Sequence, residues 1–183
     1  MIRVENTLLE GVKVLKPNIH NDERGYFFES WSKQSFAEVG LNLDFVQDNQ
    51  SLSSKGVLRG LHFQNPPFAQ AKLIQVTRGS IIDIILDIRK NSTTYGKYLK
   101  FKISSDSFKQ LYIPEGFAHG FCTLIKNTEV FYKVSNYYSP KNEQTIYFND
   151  KELSIDWNIN THNVILSEKD KKGLPFNKIE SPF

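Results

Sequence analysis

The chain has 183 residues, of which 39% are hydrophobic and 23% charged, proportions that fit one globular domain over residues 1–183 with a core of its own. Its net charge of +3 is small and dispersed, which argues against nucleic acid as a partner. No apolar run reaches the ~18 residues of a membrane-spanning helix, and the N-terminus has no signal-peptide pattern, so no membrane segment is expected. The single cysteine, Cys122, cannot form an intrachain disulfide, and with these features it favours a cytoplasmic protein.

The first elements in chain order are short and lie between polar stretches. The residue pattern predicts an edge strand, a strand after the turn-like stretch NDERG, and one helix, at residues 12–15, 26–31 and 32–40 respectively. Ser32 or Ser35 would cap the helix and Gly40 would end it. From residue 43 onward the pattern is nearly all β.

Residues 72–89 carry the clearest strand signal. A β-branched run reaches the turn Arg78-Gly79-Ser80 and a second run follows, which predicts a hairpin-like pair of strands. In the second run, every other residue from 82 onward is Ile or Leu, so one face of that strand is strongly apolar.

More strands follow in the second half of the chain, predicted at residues 98–104, 108–113, 121–125, 128–138 and 145–148, with a turn beginning at residue 114. From about residue 160 the chain is Lys-rich, and its LSEKDKKG stretch predicts a short helix capped by Ser167. Many short strands with few helices predict an all-β fold. A cupin-type jelly-roll barrel with a few short helices fits best, because such barrels enclose a ligand cavity.

The stretch VLRGLHFQ, residues 57–64, places a histidine among groups of mixed polarity. Regular strand alternation would put His62 on one face with Gly60 and Gln64, and Arg59 on the other face with two large apolar residues. The polar face would then look into water or into a polar cavity. His62 could be a structural histidine, a metal ligand or a general base, and the pattern alone favours the structural role.

Spacing tests the metal interpretation of His62. A metal-binding cupin barrel needs two histidines one residue apart, and here Gln64 takes the second position. His119, in the stretch PEGFAHG, is a further histidine, but two histidines alone make a poor transition-metal site. We therefore expect no metal and no other cofactor.

The general-base interpretation requires two partner groups. A catalytic imidazole is usually oriented by a carboxylate on its other nitrogen, and the chain has too many acidic residues for spacing to select one. Tyr132 is a candidate proton donor. On a regular strand Tyr132 and Tyr138 would share a face about 20 Å apart, at ~3.3 Å per residue, which could span an extended ligand. Core packing of both rings is the better interpretation from the pattern alone.

Three cationic side chains, Arg24, Arg59 and Lys72, fall in or beside strands with apolar neighbours. Isolated cations in such places usually extend to water or pair with acids. Their functional alternative is a phosphate-binding cluster, in which Arg offers a two-pronged donor and Lys a point charge.

Eight stretches along nearly the whole chain, in the same order, resemble the dTDP-4-dehydrorhamnose 3,5-epimerase family: DERGYFFES (22–30), FVQDNQS (45–51), VLRGLHFQ (57–64), AKLIQVTRG (71–79), DIRKNSTTYG (87–96), IPEGFAHGF (113–121), FYKVSNYYSP (131–140) and LSEKD (166–170). Each stretch alone is weak evidence, but eight in register are specific. The resemblance implies a cupin jelly roll, usually a homodimer, that works without a metal. The implied reaction inverts C3 and C5 of dTDP-4-dehydro-6-deoxy-D-glucose and yields dTDP-4-dehydro-L-rhamnose.

The resemblance also implies a role for each candidate residue. His62 would remove the sugar protons, with Asp170 orienting it, and Tyr132 would donate a proton on the opposite face. Lys72 would lie near the C4 keto oxygen and stabilise the enolate. The implied substrate-binding residues are Arg24, Gln47, Asn49 and Arg59 at the diphosphate and nucleotide, Tyr138 stacked on the thymine, and Glu29, Asp48, His119, Glu143 and Lys169 elsewhere in the site.

One of these implications conflicts with the strand pattern. The family uses both Arg59 and His62, yet regular alternation puts the two side chains on opposite faces. A bulge at Gly60, or an Arg59 that reaches into a neighbouring subunit's site, would reconcile them.

Three other functions are compatible with parts of the pattern. A mono-epimerase that inverts only C3 or only C5 of a related dTDP-4-keto-deoxysugar would keep His62, Asp170 and Tyr132. A metal-dependent cupin oxygenase would contain bound metal and is opposed by Gln64. A non-catalytic sugar-binding module is opposed by the joint presence of a base, an orienting acid and a proton donor, since binding needs none of them.

Overall fold

The computed structural model describes residues 2–183 and contains two large antiparallel sheets. The strands are β1 (Arg3–Asn6), β2 (Lys13–Lys16), β3 (His20–Asp22), β4 (Gly25–Phe27), β5 (Gln47–Ser53), β6 (Leu58–Gln64), β7 (Lys72–Arg78), β8 (Ser80–Asp87), β9 (Tyr98–Ser104), β10 (Gln110–Ile113), β11 (Phe117–Thr123), β12 (Thr128–Val134) and β13 (Glu143–Thr145). The helices are α1 (Lys33–Glu38) and α2 (Glu168–Lys171), with 3-10 turns at Ser105–Ser107, Thr161–Asn163 and Phe176–Lys178. None of the helices within residues 2–183 is long and apolar enough to cross a membrane.

The two sheets lie face to face. One has six strands in the order β1-β2-β10-β7-β12-β5, and the other has five in the order β13-β6-β11-β8-β9. Ile74 and Val130 of the first sheet pack with Ile81, Ile85 and Phe121 of the second in one buried cluster between them. This arrangement confirms the predicted all-β, cupin-type jelly roll with a few short helices.

Both sheets are also covered on their outer faces. Helix α1 packs Phe36 against Leu15 and Leu73 on the six-stranded sheet. The C-terminal segment packs Trp157 and Phe176 on the five-stranded sheet. Strand β8 is therefore buried along both faces, which explains why isoleucine occurs in both sets of its alternating positions.

Both predicted helices are confirmed, together with their caps. Ser32 precedes α1, and its Oγ accepts a hydrogen bond from the N–H of Ser35 at 3.3 Å. The chain leaves α1 through Gly40, which has a φ of +81° that suits glycine. Ser167 caps α2 in the same way, through the N–H of Asp170.

The predicted hairpin over residues 72–89 is wrong, although both of its strands exist. Strand β7 pairs with β10 and β12 in one sheet, whereas β8 pairs with β9 and β11 in the other. The connection at Gly79 thus carries the chain from one sheet to the other. Period-two alternation identifies the faces of a strand but not its partner, so the pattern could not separate these arrangements.

The predicted strand over residues 128–138 ends early, at Val134. Beyond it the chain bends towards β6, where the Gln64 side chain donates to Tyr137 O at 3.1 Å and accepts from Ser139 N at 2.7 Å. Tyr138 therefore lies on a loop, and the ~20 Å spacing predicted from ideal strand geometry does not apply.

Smaller differences concern other short strands. The predicted strand at residues 12–15 is β2, but it lies between β1 and β10 and not at an edge. The strand predicted at residues 26–31 ends at Phe27, and the one predicted at 145–148 shares only residue 145 with β13, which begins two residues earlier. The prediction at 98–104 matches β9, and that at 108–113 begins two residues before β10.

Candidate active site

A cavity of about 560 Å³ opens where the two sheets, the loop after β12 and helix α2 meet. It gathers most of the residues that the sequence predicted for the site, namely Gln47, Asn49, Arg59, His62, Lys72, His119, Tyr132, Tyr138, Glu143, Lys169 and Asp170. These residues come from positions more than 120 apart in the chain, so the fold assembles the site. A volume of this size suits a ligand of several hundred daltons.

Three predicted site residues do not line this cavity. Arg24 and Glu29 are exposed at and after the β3–β4 hairpin, and the Arg24 guanidinium pairs with Asp22 at 2.5 Å. Asp48 points away from the cavity, since it alternates with the inward-facing residues of β5, and it pairs with Lys133 at 2.9 Å. These three residues could act in such a site only if they reached the cavity of a second chain or if their side chains moved towards their own cavity.

His62 and Asp170 form a short hydrogen bond, with His62 Nε2 at 2.5 Å from Asp170 Oδ1. Burial alone would raise the pKa of Asp170, but hydrogen bonds from His62, Ser167 and the Gly60 N–H hold that pKa below its usual range. The ionised carboxylate can only accept, so His62 Nε2 carries the proton and Nδ1 keeps its lone pair. Burial also lowers the pKa of His62, against the effect of Asp170, which favours the neutral imidazole that a base requires.

A bulge in β6 places Arg59 in the same cavity as His62. In the pairing of β6 with β11, His62 lies opposite His119 and Arg59 lies opposite Phe121, so three steps along β6 match two along β11. Gly60 sits in the extra step with a φ of +125°. The bulge that was hypothesised to reconcile Arg59 with His62 is therefore confirmed.

Lys72 and Tyr132 line the wall formed by the six-stranded sheet. The Lys72 ammonium donates to His62 O at 3.3 Å, and burial lowers its pKa to about 8, while Glu143 and Asp83 act in the opposite direction. Burial raises the pKa of the Tyr132 phenol, so it stays protonated at neutral pH. His62 comes from the five-stranded sheet, and a base and a proton donor thus face the cavity from different sheets.

A second histidine–aspartate pair lies next to the first. His119 is the cross-strand neighbour of His62, and its Nε2 lies 2.8 Å from Asp83 Oδ2. Asp83 is fully buried in β8, and among residues 2–183 its Oδ1 has no hydrogen-bond partner. Asp83 was not predicted as a site residue, although an acid within the apolar run SIIDIILD is a signal, because a buried carboxylate needs a partner.

The model of the dTDP-4-dehydrorhamnose 3,5-epimerase family matches residues 6–178. The chain belongs to this family. It is 45% identical over 176 residues to the dTDP-4-dehydrorhamnose 3,5-epimerase of Shigella flexneri, an alignment that covers 96% of each chain.

Two solved structures of family members are also close to this chain. The structure of the epimerase from Bacillus anthracis with TDP and PPi bound has a TM-score of 0.92 at 44% identity, over 96% of this chain and 99% of that one. The Legionella pneumophila enzyme in complex with dTDP-4-keto-L-rhamnose has a TM-score of 0.93 at 40% identity, over 98% of this chain and 95% of that one. The protein is an enzyme of the epimerase class.

A polar cluster built on Glu143 closes one side of the cavity of this epimerase-family chain. The Tyr138 hydroxyl donates to Glu143 Oε2 at 2.9 Å, and the Lys169 ammonium donates to Glu143 Oε1 at 2.8 Å. The carboxylate thus joins the loop after β12 to helix α2, which carries Asp170. The Tyr138 ring is half exposed at this edge, where it can contact a planar group.

The Gln64 side chain, which takes the place of a second metal-binding histidine, is occupied with backbone groups. In addition to its bonds to Tyr137 and Ser139, its amide donates to Phe68 O at 2.6 Å. Among residues 2–183, no three His, Cys, Asp or Glu side chains lie close enough together to hold a metal ion.

Two serines of the cavity were not predicted as site residues. Ser51 follows the inward alternation of Gln47 and Asn49 on β5, and its buried Oγ lacks a hydrogen-bond partner among residues 2–183. The same alternation would have predicted it. Ser167 was predicted as a helix cap, but its contact with the Asp170 carboxylate could not be read from the sequence.

Proposed function

We propose that this protein inverts C3 and C5 of dTDP-4-dehydro-6-deoxy-D-glucose and yields dTDP-4-dehydro-L-rhamnose, with no cofactor. One observation carries the proposal: a His62–Asp170 pair and Tyr132 face one cavity from different sheets, in a chain of the 3,5-epimerase family. The Legionella pneumophila relative, solved with dTDP-4-keto-L-rhamnose, supports the same sugar.

The first step is proton removal from the carbon next to the C4 ketone. His62 Nδ1 takes the proton, and the electron pair of the C–H bond moves onto the C4 oxygen as an enolate. The resulting imidazolium is stabilised by the ionised Asp170 on its other nitrogen. The Lys72 ammonium stabilises the enolate oxygen, most effectively because it is already in place within the cavity.

The second step returns a proton on the opposite face of the sugar. The Tyr132 phenol donates its proton to the carbon, the enolate electrons return to form the C–H bond, and the ketone is restored. Net transfer leaves a protonated His62 and a Tyr132 phenolate, which exchange protons with solvent to reset the site. Since C3 and C5 both flank C4, one base and one donor can serve both carbons if the ring reorients between the inversions.

The rest of the cavity suits a nucleoside diphosphate. Arg59 supplies a forked cation, and the amides of Gln47 and Asn49 supply donors and acceptors beside it. The exposed ring of Tyr138 would stack on the thymine. His119, Glu143 and Lys169 would then complete the wall around the sugar.

The protein is further proposed to act as a homodimer in which the β3–β4 hairpin completes the partner's site. Within residues 2–183 this hairpin pairs with no other sheet, and it exposes Tyr26 and Phe27 at 62% and 72%. Arg24, at its turn, would bring a second cation to the diphosphate, and Glu29 follows nearby. The buried free thiol of Cys122 fits a reducing compartment, and we propose the cytoplasm.

The decisive experiment is proton NMR of the purified protein with dTDP-4-dehydro-6-deoxy-D-glucose in deuterated water. Deuterium at both C3 and C5, with appearance of the L-rhamno product, is the expected result. Exchange at one carbon alone would reassign the protein as a mono-epimerase. Binding without exchange at either carbon would overturn the proposal and leave a binding module or another substrate.

A further inference from the structure

Ser167 makes two hydrogen bonds to Asp170, the partner of His62. As the N-cap of α2, its Oγ accepts from the Asp170 N–H at 3.1 Å. The same hydroxyl donates to Asp170 Oδ2 at 2.7 Å. A hydroxyl has one proton to donate and two lone pairs to accept with, so both bonds can exist at once.

The two carboxylate oxygens of Asp170 therefore accept hydrogen bonds from different side chains. Oδ1 accepts from His62 Nε2 at 2.5 Å, and Oδ2 accepts from the Ser167 hydroxyl. A carboxylate held at both oxygens cannot rotate about its Cβ–Cγ bond without breaking one of these contacts. We infer that Ser167 is a positioning residue of the epimerase, which fixes the orientation in which Asp170 accepts from His62. The inference rests on the proposed function and adds a residue to its machinery.

Helix α2 is too short to hold Asp170 in place without such contacts. It has four residues, and a single turn of helix has little stability of its own. Asp170 is 2% exposed, whereas Ser167 lies at the surface. Without the hydroxyl, Asp170 keeps the His62 and Gly60 N–H donors, and water would replace Ser167 as the donor to Oδ2. A mobile water restricts the carboxylate less than a fixed hydroxyl.

Glycine at position 167 separates the two functions of the serine. Glycine is nearly as good an N-cap as serine, so S167G keeps most of the helix-capping effect and loses the hydroxyl. Ser32 offers a matched control, because it caps α1 through the N–H of Ser35 and does not line the cavity. S167G and S32G are thus the same chemical change at two helix caps, of which one touches Asp170.

The test combines turnover with NMR of the free enzyme. In S167G we expect kcat to fall about tenfold and KM to stay within about twofold of the natural value. Removal of a group that orients a functional side chain typically lowers activity roughly 10–100-fold. The His62 Nε2 proton should exchange with solvent about tenfold faster in S167G, because its acceptor is no longer fixed. In S32G neither quantity should change, although this variant loses its cap hydrogen bond just as S167G does.

A threonine restores the hydroxyl at this exposed position, so S167T should return kcat and the exchange rate close to those of the natural protein. The inference is overturned if S167G behaves like S32G, or if S167T is as impaired as S167G. The exchange rate of the His62 proton needs no substrate. If the natural protein proved inactive on the proposed sugar, that rate would still decide the role of Ser167, so the two failures are distinguishable.

Discussion

At the scale of single residues, the environment of His62 determines which of its nitrogens can act. The ionised Asp170 accepts a hydrogen bond from His62 Nε2–H, which leaves Nδ1 as the basic atom. The sequence predicted His62 and Tyr132 as a base and a donor through family resemblance. The strand pattern alone favoured a structural role for His62 and core packing for Tyr132, because a period-two signal shows which face a residue lies on and not what that face contacts.

Replacement of the base should abolish turnover and spare binding. We expect His62→Ala to lower kcat by about 10²–10⁴-fold, the usual contribution of a positioned general base. Binding of dTDP, measured by calorimetry, should stay within about threefold, because the phosphate contacts come from other residues. Near-normal turnover in this variant would refute the mechanism.

Replacement of the donor should separate proton removal from inversion. In Tyr132→Phe the base remains, so wash-in of deuterium at C3 and C5 without inversion should continue, while inverted product forms about 10²-fold more slowly. Proton NMR in deuterated water measures both rates in one sample. Rapid inversion by this variant would show that a different group reprotonates the enolate.

The charge states of His62 and Lys72 predict a bell-shaped pH profile for kcat/KM. The proposed mechanism requires neutral His62, whose pKa lies below its usual value of 6.5 because of burial, so the rate should fall only in acid below that value. The proposed mechanism also requires charged Lys72, whose pKa is lowered to about 8 by burial, so the rate should fall again above pH 8. In Lys72→Arg the residual activity should lose the alkaline limb, since guanidinium stays charged. A natural enzyme with no decline up to pH 9.5 would contradict the role of Lys72.

At the scale of elements, the β6 bulge is what makes the site possible. An ideal strand would turn Arg59 away from His62, and the extra residue at Gly60 returns both side chains to the cavity. The family resemblance made this bulge a reasonable hypothesis before the structure was known. The exchange of sheets between β7 and β8 was not predictable in the same way, because the residues around Gly79 suit a hairpin equally well.

Alanine at Gly60 should destabilise the fold far more than its size suggests. A Cβ there would lie 2.4 Å from Gly120 Cα, and the φ of +125° is strained for any side chain. Gly25 is a matched control, with a φ of +123° and nothing within 4 Å of an added Cβ. We expect Gly60→Ala to lower the free energy of unfolding by about 2 kcal/mol or more beyond Gly25→Ala, which carries only the strain of roughly 1–3 kcal/mol. Equal losses in urea unfolding would show that the close approach is relaxed at little cost.

At the scale of the whole molecule, the β3–β4 hairpin is the part that a single chain leaves without an evident purpose. It carries Arg24 and Glu29, which resemblance assigns to the site and which the structure places outside the cavity of their own chain. The sequence could not show whether they act in the site of their own chain or of a partner, because the resemblance implies the role of a residue and not its position in space. A twofold dimer would repeat the hairpin at both sites.

Mixing two inactive variants tests this arrangement directly. If Arg24 serves the partner's site, a mixture of Arg24→Ala and His62→Ala chains should recover about a quarter of the natural rate, since half of the dimers would have one intact site. A mixture of His62→Ala and Asp170→Asn is the control, because both residues belong to one chain and each mixed dimer would still lack an intact site. Equal absence of recovery in both mixtures would contradict the shared site.

The pairing of His62 with Asp170 has a consequence for the synthesis of the protein. The two residues are 108 positions apart, so the site cannot form until synthesis has passed Asp170 and the chain has folded back to His62. Strand β6, with His62 and the bulge, is synthesised before α2. Until α2 follows, His62 lacks its partner Asp170. Every incomplete chain that ends before Asp170 therefore lacks the acidic partner of His62, and under the proposed mechanism its activity can begin only after α2 has been made and has packed against β6.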